Sequence, residues 1–420
     1  VSRETTTVVF EFSLSTHPDE RERLLAESTA DILRFLQLEA NYSSPLLPFL
    51  GGGFAYDYLA TFEELPEVKP GANTYPDYEF LVAQTVLAVD HLQGTAHLEG
   101  WDIDDKRLRE ELDSLASLPA AARPAAPQRE RIRAVADVDD TGFRADVDKL
   151  KSNIHAGDIY QVVPARAFTV DCPNALAAYR ALRETNPSPY MFYVRGADYE
   201  LFGASPESNL KFTPEDRQVQ LYPIAGTRPR GLNPDGSINH ELDIRNELDM
   251  RTDHKEIAEH TMLVDLARND LARVAVPRSR QVAELLHVDR YSRVMHLVSR
   301  VTATLHPDFD ALVAYRACMN MGTLTGAPKL RATELVRRTE GKRRGSYGGA
   351  VGYLRGDGAM DNCIVIRSAY VQDGTAVVQA GAGVVKDSMP QAEADETVHK
   401  AYAVLNAIAM AQGAELVVQR

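Results

Sequence analysis

Three strand-like runs follow one another near the end of the chain with no helical stretch between them: SYGGAVGYL at 346–354, CIVIRSAYV at 363–371 and AVVQAGAGVV at 376–385. Upstream, helical and strand-like spacings mix irregularly. Apolar residues at helical intervals mark 18–38, 140–156, 240–275 and the segment after Ala327-Pro328, and a last helix is expected from about 390. The run EFLVAQTVLAVD at 79–90 reads as a buried strand, and IYQVVPARAFTV at 159–170 is strand-like. Such runs lack the regular βαβ beat of a doubly wound sheet, so the fold class is α+β. SLPAAARPAAPQRERIRAVAD, rich in Ala, Pro and Arg, reads as a linker over 117–137 between a first part, 1–116, and a larger one, 138–420.

A chain of 420 residues that is 44% hydrophobic can bury a large core. Its net charge of −14 argues against a nucleic-acid partner, since binding phosphates needs a basic surface. The basic run KLRATELVRRTEGKRR at 329–344 is the local exception, and it reads as the solvated face and C-terminal end of a helix. Cys172, Cys318 and Cys363 are widely spaced and odd in number, which fits a reducing cytoplasm and excludes a disulfide framework or a CxxC metal site. No apolar run is long enough to span a membrane, and no signal peptide opens the chain. A start at Val1 without Met reads as a fragment or a processed form.

QAEADETVHKAY at 391–402 packs Glu393, Asp395 and Glu396 into one stretch. Carboxylates are favoured at helix starts by the macrodipole, so one such group alone signals little. A second pair, Glu256 and Glu259 in KEIAEHTMLVDLARNDL, changes that. Residues three apart share a helix face, and two such pairs facing each other repel unless a cation lies between them. An all-carboxylate donor set favours Mg²⁺ over Zn²⁺. In CIVIRSAYV a period of two puts Val365, Arg367, Ala369 and Val371 on one face, where a guanidinium calls for an anion, either a ligand or a protein carboxylate. Gly381 and Gly383 share a face in VQAGAGVV, so something approaches that backbone closely, a ligand or a neighbouring strand. The Gly-Thr turns of YPIAGTRPRG (222–231) and MGTLTGAP (321–328) offer amides and hydroxyls to an oxyanion, the second opening a helix at Pro328. His296, in the mostly apolar YSRVMHLVSRV, reads by itself as a core residue, and Glu207 in GASPES as a loop acid. These features together describe a small multi-anionic substrate held by an Arg, glycine amides and a metal.

Taken in order, DIYQVVPAR, NPSPYMFY, FGASPES, YPIAGTRPRG, EIAEH, MHLVSRV, GTLTGAPK, GSYGGAVGYL, CIVIRS, QAGAGVV and EADETVHKA resemble the anthranilate synthase component I family. The likeness runs from about 140 to 408, and GGGFAYDYLATFEELP extends it into the first part. It implies two antiparallel sheets packed as a sandwich with flanking helices, a chorismate-binding catalytic domain over 138–420 and a remnant of an N-terminal regulatory domain over 1–116. It implies that Glu256, Glu259, Glu393 and Glu396 hold a Mg²⁺ that binds the ring carboxylate of chorismate. Tyr347, Arg367 and the backbone of Gly381, Ala382 and Gly383 would hold the enolpyruvyl carboxylate, with Lys400 nearby and Gly226 and Thr227 lining the ring side. Glu207 would be the general acid at the leaving 4-hydroxyl, and His296 and Thr323 would belong to the second step. In the implied reaction ammonia adds at C2, and the aminodeoxyisochorismate formed then loses pyruvate to give anthranilate, the first step of tryptophan biosynthesis.

Related enzymes that make 4-amino-4-deoxychorismate carry a nucleophilic Lys where this chain has Ala225, and isochorismate synthases carry a water-activating Lys where it has Gln161. Both substitutions point to ammonia as the direct nucleophile. No cysteine sits in a G-x-C-x-G elbow, so a separate glutamine amidotransferase subunit, component II, is implied, as in the family's heterotetramers. The family's feedback site for L-tryptophan draws on the stretch that holds Asn186, Pro189, Tyr190 and Met191 here, together with an N-terminal LLES segment. LLAES at 24–28 looks similar but sits in a helical pattern and in the wrong place relative to GGGFAYDY, so only the second half of that site is expected in this chain, and tryptophan inhibition is expected of the intact protein. The rival functions are an aminodeoxyisochorismate synthase that lacks pyruvate elimination and a non-catalytic tryptophan-sensing subunit.

Overall fold

The computed structural model describes residues 10–12, 17, 19–39, 44, 46–101, 104–117, 131–291 and 293–420. Two large sheets organise them. The first runs in the order β12 (Ile224–Pro229), β14 (Val294–Thr304), β11 (Gln218–Leu221), β10 (Ser208–Thr213), β17 (Met360–Ile364), β16 (Ala350–Arg355), β1 (Phe49–Phe54) and β2 (Tyr78–Ala83), with β13 (Gln281–Arg290) also paired to β14. The second runs β20 (Glu415–Gln419), β5 (Arg131–Ala136), β7 (Ala165–Asp171), β19 (Thr375–Gly381), β18 (Ser368–Gln372), β9 (Glu200–Ser205) and β8 (Tyr190–Arg195). Pairing is antiparallel throughout except between β20 and β5. The α+β reading stands.

Burial explains why the sheets stack. Val351 and Cys363 from the first sheet, with Val365 just beyond its strand β17, meet Leu201 and Tyr370 from the second in one buried cluster, the filling of the sandwich. The outer face of the second sheet is covered by α5 (Ala175–Thr185) and α11 (Pro390–Ala411), whose Leu182, Val404, Leu405 and Ile408 pack on Phe168, Phe202 and Val378. On the first sheet, α7 (His254–Ala272) and α8 (Ala311–Cys318) bring Val264, Leu271, Leu312 and Tyr315 against Phe54, Leu210 and Val301. Short polar side chains start α5, α7 and α8. Asn174 caps α5 by accepting from the Ala177 amide, and Asp253, at the joint between α6 (His240–Thr252) and α7, accepts from the amides of Lys255 and Glu256. Gly341, left-handed at φ 65°, ends α10 (Lys329–Glu340).

Several expectations need correction. Residues 79–90 are not one buried strand: the chain breaks between β2 and β3 (Thr85–Asp90), and Leu81, Val82, Leu87 and Val89 are exposed. The reason is position, since β2 is the outer strand of its sheet and β3 pairs with β4 (Thr95–Gly100) in an outlying hairpin. The helical stretch at 18–38 is divided into α1 (Glu20–Leu25) and α2 (Asp31–Arg34), because Ala26 turns extended and the Ser28 amide donates to the Asp31 side chain. Within the linker expected at 117–137, residues 118–130 lie outside the described residues, but Arg131–Ala136 is strand β5, burying Ile132 and Ala134 with a period of two. The chain from 49 to 83 also extends the first sheet, so the boundary expected there does not separate the sheets.

The run CIVIRSAYV is two strands in two different sheets. β17 ends at Ile364 in the first sheet and β18 begins at Ser368 in the second. The chain crosses between them at Val365–Arg367, with Arg367 left-handed at φ 49°. Val365 turns into the filling, Ala369 and Val371 into the helix-covered core, and the expected common face with Arg367 does not form. The basic run at 329–344 forms α10 and its C-terminal end, as expected, but it is only partly a solvated face, with Arg338 exposed. Lys329, Arg337 and Arg344 turn inward because each meets a buried carboxylate, Asp270, Asp57 and Glu340 respectively.

Candidate active site

A cavity of about 640 Å³ opens beside the crossover at Arg367. Of the site residues expected from the sequence, it gathers Glu207, Gly226, Thr227, Glu256, Glu259, His296, Thr323, Tyr347, Arg367, Gly381, Gly383, Glu393, Glu396 and Lys400. Ala382 is not among its walls. It lies between the two glycines and turns the other way, fully buried, its amide donating to the Pro164 carbonyl. Asn186, Pro189, Tyr190 and Met191 are elsewhere, at the end of α5 and the start of β8, where the Tyr190 hydroxyl donates to Asp361 of β17 at 3.0 Å and ties the second sheet to the first.

The two glutamate pairs sit where helices begin. Glu256 lies in the first turn of α7 and Glu393 in the first turn of α11, so the macrodipole reading holds for both. They also face one another across the cavity. The carboxyl of Glu259 is raised by burial and then, against Lys255, by the charges of Glu396, Glu256 and Glu393. Glu393 is raised by burial and by Glu396. Basic side chains offset part of this repulsion. Arg228 bonds Glu256, Lys255 lies 3.9 Å from Glu259, and Lys400 lies 2.5 Å from Glu396. As the side chains stand, among the described residues no three His, Cys, Asp or Glu groups converge on one ion-sized point. Two buried oxygens nevertheless lack partners, Oε2 of Glu256 and Oε2 of Glu393, one from each pair. An unpaired buried carboxylate oxygen is costly, and an oxygen-only set with spare acceptors suits a hard divalent cation.

Opposite these acids stands the anion-binding side. Among the described residues Arg367 has no carboxylate within ion-pair distance, while burial pulls its guanidinium down and Tyr347, Glu396 and Glu207 act in the other direction. An unpaired cation in a cavity wall is set to receive an anion. The glycine pair explains how the neighbouring wall comes so close. A Cβ on Gly381 would stand 2.8 Å from the Pro164 carbonyl and 3.1 Å from the Tyr347 hydroxyl, and one on Gly383 would stand 2.8 Å from Nε2 of Gln161. The close approach is thus made by the protein itself, and it leaves the two glycines facing the cavity. Lys400 donates to the Gly381 carbonyl at 3.0 Å.

Two titratable groups are pushed in opposite directions. Burial raises Glu207 to about 8, against the Thr323 hydroxyl, Lys400 and Arg367, so it carries a proton at neutral pH. His296 is lowered to about 4 by burial and then by Arg367, so its ring is neutral. The residue read alone as a core histidine is in the wall, whereas His260, fully buried and bonded to Ser299 at 2.6 Å, is the core one. A carboxylic acid and a neutral imidazole in one cavity can give and take protons at pH 7. Gly226, left-handed at φ 92°, lets the turn before Thr227 pass Glu256, whose Oε2 would be 2.7 Å from a Cβ there.

Arg228, Lys255 and Arg344 were not expected at the site. The first two adjoin expected residues, and the third was hidden in the basic run.

The chain resembles known proteins over most of its length. A sequence profile described as chorismate binding enzyme matches residues 4–406. An anthranilate synthase component 1 from Salmonella typhimurium is 53% identical over 94% of this chain and 78% of its own length. The crystal structure of anthranilate synthase component I from Streptococcus pneumoniae superposes with a TM-score of 0.80 at 31% identity, covering 90% of this chain and 85% of that one. The menaquinone-specific isochorismate synthase of Escherichia coli, at 21% identity and a TM-score of 0.71 over 91% of this chain and 82% of its own, shares the fold.

Proposed function

Because this chain belongs to the chorismate binding enzymes and, among them, to the anthranilate synthase component 1 proteins, we propose that it converts chorismate and ammonia to anthranilate and pyruvate, the work of the large subunit in tryptophan biosynthesis. The observation that carries the reading is the cavity itself, which combines an unpaired Arg367, a protonated Glu207, a neutral His296 and four facing carboxylates.

The residues take roles that follow from their chemistry. Arg367 and the Tyr347 hydroxyl receive the enolpyruvyl carboxylate, beside Gly381 and Gly383. Glu256, Glu259, Glu393 and Glu396 would hold Mg²⁺, which supplies charge neutralisation for the ring carboxylate. Glu207 gives its proton to the 4-hydroxyl as the C4–O bond breaks and the ammonia nitrogen bonds to C2, and the hydroxyl leaves as water. His296 then takes the C2 proton, the C3–O bond breaks, and the enolpyruvyl fragment is protonated to pyruvate as the ring becomes aromatic. Ala225 and Gln161 both line the cavity, and neither can form an adduct with the ring or deprotonate water.

The name component 1 accords with a partner component. We take that partner to be a glutamine amidotransferase that delivers the ammonia. Inhibition by L-tryptophan through the region of Asn186, Pro189, Tyr190 and Met191 belongs to the same reading, as does a cytoplasmic setting, which the three free cysteines suit. No helix among the described residues is long and apolar enough to cross a membrane.

The test is fluorescence of the chain with chorismate, Mg²⁺ and an ammonium salt, with glutamine-only and EDTA controls. Anthranilate from ammonium but not from glutamine, lost with EDTA, is the expected result. Chorismate consumed without fluorescence would overturn it in favour of a synthase that stops at aminodeoxyisochorismate.

A further inference from the structure

Arg344 is 2% exposed and stands behind the cavity, where three of its walls meet. Its Nη1 donates to the Leu324 carbonyl at 2.8 Å and its Nη2 to the Val163 carbonyl at 2.6 Å. Nε and Nη2 grip the Glu340 carboxylate at 2.6–3.2 Å. The guanidinium carbon lies 4.5 Å from the centre of the Tyr56 ring and 5.6 Å from that of Tyr347. Val163, Leu324 and Tyr347 are each part of the cavity wall, yet they come from three separate stretches of chain. Glu340 adds a fourth tie, accepting from the Ala165 amide at 2.9 Å, next to the Pro164 carbonyl that crowds Gly381.

A buried Arg–Glu pair is no better a stabiliser than apolar residues of the same volume, so stability alone is a weak reason for this cluster. Its geometry points to a different use. We propose that Arg344 is a positioning residue for the enolpyruvyl carboxylate, fixing the Tyr347 hydroxyl beside Gly381 by holding the Val163 and Leu324 carbonyls and the Tyr347 ring at once. The inference rests on the substrate reading given above. The planar fork is needed, because the point charge of a lysine cannot serve two carbonyls, a carboxylate and two ring faces together. Burial raises the Tyr347 phenol to about 12 even with this cation beside it acting in the opposite direction, so the hydroxyl keeps its proton and remains a hydrogen-bond donor.

A double-mutant cycle tests this with the full chain: Arg344→Lys, Tyr347→Phe and the pair, each read by chorismate titration in the presence of Mg²⁺. Arg344→Lys is expected to weaken chorismate binding about tenfold, and to weaken it no further once Tyr347 is Phe. In steady state the loss should appear in KM, with kcat changed less than about threefold. Equal losses in both backgrounds, or unchanged binding in a folded Arg344→Lys protein, would overturn the proposal. Circular dichroism and thermal melting establish folding. If Arg344→Lys does not fold, Glu340→Gln, which keeps the shape and removes the charge, takes its place in the cycle under the same criterion. A failure of the lyase reading shows separately, as wild-type protein that binds chorismate and forms no anthranilate.

Discussion

Thr227 and His296 are direct partners in the β12–β14 pairing, and the Thr227 hydroxyl lies 2.9 Å from Nδ1 of the imidazole. The ring is thereby held in the cavity wall by a side chain that the strand register places opposite it. A base that must meet one ring proton needs this kind of fixed bearing more than it needs basicity.

His296→Gln should therefore separate the two halves of the reaction. Anthranilate formation falls by about 10²–10⁴-fold while chorismate is still consumed with ammonium, and a non-fluorescent product accumulates. Liquid chromatography of the reaction mixture checks this. Loss of both halves together would show that His296 acts in the first.

Glu207 gives a pH dependence. With its carboxyl raised to about 8, the active protonated form is full at neutral pH and is lost as pH rises through that value. Glu207→Gln should remove this alkaline limb and cost about 10²–10⁴-fold in kcat. The same shift has a stability sign. The folded state binds the proton more tightly than the unfolded state, so this group's contribution declines as pH rises from about 4.5 to about 8. Melts of wild type and Glu207→Gln across that interval should converge at its acid end.

Arg367→Lys keeps a charge and loses the fork. The KM for chorismate should rise by about 30-fold or more, with little recovery at high ammonium, because the lost partner is the substrate carboxylate. Initial rates over a chorismate series decide it.

Glu393→Gln should pull stability and metal binding in opposite directions. Removing one of four repelling carboxylates stabilises the metal-free chain by about 1 kcal/mol, while Mg²⁺ affinity measured by calorimetry falls. Melting with and without Mg²⁺ shows both effects, and a lower melting temperature in the metal-free variant would contradict the assignment.

The residue identities of the cavity were legible in the sequence and their connections were not. Glu256 with Glu259 and Glu393 with Glu396 announce themselves by spacing, and α4 (Asp140–His155), α7, α10 and α11 by apolar periodicity and caps. The path of CIVIRSAYV was hidden because a period of two continues across a break when the strand changes sheets. Strand β5 was hidden by an Ala- and Pro-rich approach, and its parallel partner β20 lies at the other end of the chain. Arg344 was misread because charge in a helix run usually means solvent. Only the fold shows that Glu340, one turn earlier, and the carbonyls of Val163 and Leu324 wait for it in the interior.

The left-handed step at Arg367 joins the last residue of one layer to the first of the other, three residues after β17 ends and one before β18 begins. A molecule anchored there is strapped to both halves of the sandwich. Sliding one layer past the other would drag the guanidinium with it. Bound chorismate should slow amide exchange in β17 and β18 together, coupling the two sheets through one ligand.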